Sequence, residues 1–307
     1  MKKINNIVIV ILFGLLSSVA MASKYEPRTG LYTKERYELM PTDQLPAIFD
    51  RLQKDSPDKN IVLYIHGRGH DTKDEWQSLS RIENDYGSRI IMFHWPSWKN
   101  LVTRPVDKAK KAAVELDEVL KQIKDYKDAN PEAFANKKIS LLVHSMGHVV
   151  LREFVEKFYD YDLNDNYGRP LFDSFVSAGA DVGFTDHRAW LSKIDFAAKK
   201  FVAMNNRDLV LLLSYMLDLK VKKPLGYKLG LGVDRFPIKQ EVLAKYLDPQ
   251  TTYIDLSRSL NTDHRYFESK KPLMLKIFRS IINGEDFVPE SLGTKYKKEQ
   301  NIYYITS

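Results

Sequence analysis

Six short apolar runs spaced along the chain constrain its fold more than any other feature. They fall at residues 60–66 (NIVLYIH), 89–95 (RIIMFHW), 138–144 (KISLLVH), 173–179, 200–205 and 251–256. Each is too short for a buried helix, and most are rich in β-branched or aromatic residues, so each reads as a buried strand. Helical spacing fills the gaps. Residues 73–86 are helical in pattern. Over 105–127 the apolar residues Ala109, Ala112, Leu116, Val119, Leu120 and Ile123 recur three and four apart, with Pro105 suited to a first turn. Further helices are expected at 146–158 and 272–283, the latter stopped by Gly284. Strand and helix alternating over six units call for an α/β fold. Its central sheet is mostly parallel, with helices on both faces and the ligand site at the carboxyl ends of the strands.

Two segments break the rhythm. The tyrosine-rich 159–171 and the Lys-, Gly- and Leu-rich 218–239 are too long for simple connections and read as loops near the site mouth, or a small lid. The first 22 residues form a separate unit. Lys2 and Lys3 precede an unbroken apolar run from 7 to 16, and Ala20-Met21-Ala22 is a small-x-small cleavage site, the pattern of a secretory signal peptide. That leaves residues 23–307 as one domain, exported to the periplasm or secreted.

With no cysteine in its 307 residues, the chain has no disulfide, no thiolate nucleophile and no lipid attachment at the cleavage site. The formal charge of +7 includes Lys2 and Lys3 and no acid from the leader, so the mature chain carries +5. This excess gives no reason to expect a nucleic-acid partner. Local runs at 220–228 and 295–298 read as solvated surface or as a weak contact with an anionic membrane or cell-wall surface.

Chemistry concentrates at Val143-His144-Ser145-Met146-Gly147, where a strand meets a helix. A serine on such a turn projects its hydroxyl above the sheet edge, and the helix N-terminus behind it favours developing negative charge. Gly147 lets strand and helix approach closely. Val143 stands where the G-x-S-x-G pattern has its first glycine. His66-Gly67, Phe93-His94-Trp95-Pro96-Ser97, Ala180-Asp181-Val182, Asn206-Arg207-Asp208 and His264-Arg265-Tyr266-Phe267 complete an ordered set over about residues 60–270.

With these motifs the chain resembles the α/β-hydrolase superfamily, and more narrowly a bacterial esterase- or lipase-like family with no single assigned activity. The resemblance implies a serine hydrolase of carboxylic or lipid acyl esters that needs no cofactor. Ser145 is then the nucleophile, and His264, in a polar loop after the last strand run, is the base. The resemblance matches Asp208 to the acid. Asp181, one strand earlier, is the alternative acid. The oxyanion would be held by the N–H groups of Met146 and, from the loop after the first strand, Arg68. His144 and His148 read as packing or supporting residues, with the His144 ring directed away from the hydroxyl, and His66 as shaping the loop above the site. Residues 95–98 sit on the rim, as an aromatic wall or as packing.

Two other readings stand beside this one. His66, His70, Asp71 and His94 offer metal-ligand types for a metal-dependent hydrolase, without the spacing of a known metal motif. A hydrolase fold reused for binding is the other, and Val143 is the residue that favours it.

Overall fold

All six apolar runs are strands, and they lie side by side in one sheet. The computed structural model describes residues 28–69, 72–98, 104–219, 227–233 and 240–306. The expected leader at 1–22 lies outside them. In chain order the elements are Gly30–Thr33 (β1), Arg36–Met40 (β2), Leu45–Asp55 (α1), Ile61–Ile65 (β3), Thr72–Tyr86 (α2), Arg89–His94 (β4), Val106–Ala129 (α3), Ile139–His144 (β5) and Gly147–Lys157 (α4). They continue with Phe172–Ala178 (β6), His187–Leu191 (α5), Ala197–Met204 (β7), Leu209–Asp218 (α6), Gln240–Leu243 (α7), Thr251–Asp255 (β8), Pro272–Ile282 (α8), Lys295–Glu299 (β9) and Ile302–Thr306 (β10).

The sheet order is β2-β1-β4-β3-β5-β6-β7-β8-β10-β9. From β4 to β10 every pair is parallel, and the antiparallel strands β1, β2 and β9 close the two edges. β5 sits between β3 and β6, with Leu141 opposite both Leu63 and Phe175. This central position buries the strand that carries the serine on both faces.

Alternate residues feed two cores. Ile61, Leu63, Ile65, Leu141 and Val143 pack on one face with α1, α3, α4 and α5. Val62, Tyr64, Leu142 and Val176 pack on the other with α2 and α8. The amphipathic stripe expected in α3 is buried, from Ala109 to Ile123. Helices therefore cover both faces, as the alternation requires.

Four strands escape the sequence pattern, and all are at or near an edge. β2 (RYELM) and β9 (KYKKE) carry charge on strands paired on one side only. Charged edges discourage pairing with another chain, which explains the lysine run at 295–298.

The first irregular segment differs from expectation. Helix α4 starts at the carboxyl end of β5 and runs back, so 159–171 lies at the opposite end of the sheet from Ser145. It packs on α3, where Lys127 Nζ donates to the carbonyl of Leu171 at 2.9 Å and the Tyr161 hydroxyl bonds to Asp117. Of the second segment, 218–219 and 227–233 are described, and 227–233 packs against the strand ends beside Asp181. Leu229, Gly230 and Leu231 are buried, the Gly230 N–H donates to Ala180 at 3.0 Å, and its carbonyl accepts from Asn205 N–H at 2.8 Å.

Candidate active site

Ser145 sits in the left-handed region, at φ 52°, between the end of β5 and the start of α4. A non-glycine residue adopts this conformation only when its surroundings enforce it. Here the Ser145 N–H donates to Ala178 at 3.1 Å and its carbonyl accepts from Asp181 N–H at 3.3 Å and His148 N–H at 3.2 Å. Gly147 is required by contact. A Cβ there would lie 2.7 Å from the Ile65 carbonyl oxygen and 2.8 Å from that of His66. Val143, the departure from the glycine pattern, points into the core and is fully buried, so the turn forms without the first glycine.

His264 and Asp208 meet across 56 residues of chain. The His264 Nδ1 lies 2.7 Å from Asp208 Oδ2. Asp208 caps α6, where its Oδ1 accepts from Leu211 N–H at 3.0 Å, and it is fully buried. The Tyr266 hydroxyl donates to the same Oδ2 at 2.6 Å. Such donors replace the hydration that a buried carboxylate loses. Next to them, Asn205 Nδ2 donates to the carbonyls of Asn261 at 2.9 Å and Asp263 at 3.1 Å, which ties the histidine loop to the end of β7.

Asp181 is held elsewhere. Arg104 lies 2.9 Å from its Oδ2, Lys228 3.2 Å from its Oδ1, and the Ser214 hydroxyl donates to Oδ1 at 2.8 Å. Burial pushes this carboxyl up, but Arg104 and Lys228 outweigh it and hold it below the usual carboxylate range. Asp218 completes the cluster, paired with Arg104 at 3.0 Å and with Lys228. Lys228, which the sequence places in a solvated run, is fully buried.

The loop after β3 lies directly on the serine. A Cβ at Gly67 would be 2.7 Å from Ser145 Cβ and 3.3 Å from its Oγ. His66 holds this loop from below. Its Nδ1 lies 2.7 Å from the Gly67 carbonyl and its Nε2 accepts from Trp95 N–H at 3.2 Å, which sets the tautomer. Both nitrogens are thereby engaged in backbone contacts, which argues against His66 as a metal ligand. His94 stacks on it at 4.9 Å, while His70 and Asp71 lie outside the described residues. Burial and then His94 lower the His66 pKa well below its ordinary value. Trp95 is core packing, whereas Trp98 faces the cavity beneath the Arg68 guanidinium, 5.6 Å from its ring centroid.

A cavity of about 810 Å³ opens above these groups, lined among others by Arg68, Ser145, Met146 and His264. The geometry thus brings Ser145, Met146, Arg68 and His264 to one space and sets Asp208, not Asp181, against the histidine.

The sequence model of an alpha/beta hydrolase of unknown function (DUF900) matches residues 42–280. The chain belongs to that family. No curated protein matches it. Similar solved structures include a predicted CIB-like hydrolase from Thermoplasma acidophilum, 12 % identical, covering 75 % of this chain and 88 % of the other, at a TM-score of 0.39. An esterase from Pyrobaculum calidifontis is 11 % identical over 89 % and 97 %, at 0.37. A lipase/esterase from Lactobacillus plantarum is 14 % identical over 66 % and 79 %, at 0.33.

In this DUF900 α/β-hydrolase two supporting residues, Tyr266 and Asn205, escape a reading of the sequence alone. They fix Asp208 and the His264 loop, while His144, expected to turn its ring away from the hydroxyl, instead lines the cavity with Ser145, its ring centroid 4.6 Å from that of His264. Tyr266 stands two residues after His264 in a recognisable motif, but only the fold shows that it reaches back to Asp208. His148 behaves as expected of a buried support. Its Nε2 lies 2.7 Å from the Ser177 hydroxyl, and burial lowers its pKa to about 4.

Proposed function

We propose that this chain hydrolyses carboxylic esters through an acyl-enzyme on Ser145. The observation that carries the proposal is the 2.7 Å contact between His264 Nδ1 and Asp208, with the histidine ring opening on the same cavity as Ser145. Asp208 holds the Nδ1–H tautomer, which leaves Nε2 free to accept the serine proton. Ser145 Oγ forms a bond to the ester carbonyl carbon, and the oxyanion is held by the N–H groups of Arg68 and Met146. Collapse breaks the carbon–alkoxy bond, and His264 returns its proton to the leaving alcohol. Water then adds to the acyl-enzyme while His264 takes its proton, and the carboxylic acid leaves as Ser145 is reprotonated. The cycle balances without a cofactor, and thioesters or amides would pass through the same steps.

The leader belongs to the same proposal: residues 1–22 are removed on export, leaving a domain of residues 23–307 in the periplasm or outside the cell. The mature N-terminus should be Ser23, and an intact Met1 in the exported fraction would overturn that part. A fluorophosphonate probe should label the wild type and not Ser145→Ala, and 4-nitrophenyl acetate should be cleaved only by the former. A folded wild type that takes no label would instead point to a binding module, and chelator-sensitive cleavage without labelling to a metal enzyme.

A further inference from the structure

We infer that the cavity above Ser145 is shaped for an amphiphilic ester, with an apolar acyl chain along α6 and an anionic group on the alcohol arm. The inference rests on reading Ser145 as the nucleophile. Its basis is that the two faces of the sheet supply the cavity with walls of opposite chemistry.

Helix α6 makes one wall. It packs on the first core through Leu211, Leu212 and Tyr215, and turns Val210, Leu213 and Leu217 toward the cavity. Its sequence, LVLLLSYMLD, is apolar nearly all round, yet only Leu211 and Asp218 are buried. Of the three that line the cavity, Val210 is 49 % exposed and Leu213 and Leu217 are half-buried. Apolar side chains left uncovered beside a cavity mark a binding surface. From Val210 to Leu217 the helix rises about 10 Å, the length of an extended acyl chain rather than an acetyl group.

The opposite wall comes from α2 and the segment after β8, on the second core. Arg81, Arg265 and Lys270 face the cavity there, against Glu268 and Asp263. Glu268 is shared between Arg81 at 2.6 Å and Arg265 at 3.4 Å. Asp181 and Asp218 are already balanced by Arg104 and Lys228. Among the described residues of this wall, the three cations Arg81, Arg265 and Lys270 thus face the two carboxylates Glu268 and Asp263.

The position of the base assigns the two arms. His264 must protonate the leaving alcohol, and it sits in the same segment, 263–270, as the cationic wall. The alcohol arm therefore lies toward Arg265 and Lys270, and the acyl arm toward α6. Each methylene laid on that wall should raise kcat/KM by about twofold to fourfold.

The test uses the mature protein with 1-dodecanoylglycerol 3-phosphate, 1-dodecanoylglycerol and 4-nitrophenyl acetate, all below micelle-forming concentrations. At low salt the phosphate ester should exceed its neutral counterpart in kcat/KM by on the order of tenfold, and 1 M NaCl should remove most of the difference. Lys270→Glu should bring the ratio of the two glycerol esters toward one, and Leu213→Gln should reduce the preference for dodecanoyl over acetyl esters. Labelling of Ser145 and cleavage of 4-nitrophenyl acetate, with equal or neutral-favouring rates on the glycerol esters, would overturn the inference and leave the serine mechanism standing. So would cleavage of the acetate with neither glycerol ester attacked. A wild type that cleaves none of the three and takes no fluorophosphonate would overturn both.

Discussion

Gly67→Ala is the sharpest probe of how the site is assembled. The added Cβ would lie 2.7 Å from Ser145 Cβ and 3.0 Å from His144 Nδ1. Ordinary carbon contacts are about 3.5–4.0 Å, so the first overlap is at least about 0.8 Å. Ser145 cannot yield, because its turn at φ 52° is pinned by hydrogen bonds to Ala178, Asp181 and His148. The loop must move instead, by about 1 Å, and Arg68 moves with it as the next residue. Displacing the proposed oxyanion donor by that distance should cost about 10²–10³-fold in kcat. Global stability should fall by only about 1–3 kcal/mol, as for other overpacked sites. Steady-state kinetics on 4-nitrophenyl acetate, with circular dichroism and a melting curve, would measure both effects. A folded Gly67→Ala protein with kcat within about threefold of wild type would refute the placement of this loop over the serine. Gly69→Ala is the control, since a Cβ there meets only the Trp98 ring at 3.4 Å and strains its own φ of 82°. It should lower stability by about 1 kcal/mol and kcat far less.

Ser145→Ala and His264→Ala should each lower kcat by on the order of 10⁴-fold, and the double variant little further, because the pair acts as a unit; multiplying losses would contradict a shared proton transfer. Asp208→Asn should leave the fold intact and cut kcat about 10⁴-fold by favouring the wrong tautomer. Asp181→Asn should mainly destabilise, by about 3 kcal/mol, since it leaves buried Arg104 and Lys228 short of a counter-charge; the reverse pattern would exchange the two roles. Burial lowers the pKa of both His148 and His187 to about 4, so each stays neutral when folded while the unfolded chain takes up protons below about 6.5. Stability should therefore fall as pH drops from about 6.5 to 4, by up to about 3 kcal/mol per histidine. Melting temperatures across that range should decline, less steeply in His187→Gln, and a flat profile in the wild type would argue against two buried neutral imidazoles.

Periodicity alone located the six central strands and the buried face of α3, because those segments are apolar enough to be buried wherever the chain takes them. The strand-serine-helix junction likewise singled out Ser145 as a local pattern, and the motif resemblance pointed to His264 after the last strand run. β1, β2, β9 and β10 were not legible. The outermost strands β2 and β9 have one free side each, and their charged residues answer to that edge, which no local pattern reveals.

The choice between Asp208 and Asp181 was a matter of tertiary structure for a related reason. Both follow strand ends, and at 2.7 Å only the loop tied down by Asn205 decides which carboxylate meets His264. The same holds for Lys228, which belongs to a basic run in the sequence and is buried in the fold because Asp181, from the end of β6, joins Asp218, ten residues before it, to neutralise it. Which end of the sheet a loop occupies follows from the direction of the preceding helix, so the tyrosines of 159–171 lie far from the serine despite following its helix. Local apolar spacing sets what is buried. Partners that neutralise charge or fix a histidine come from distant parts of the chain, and only the closed fold brings them together.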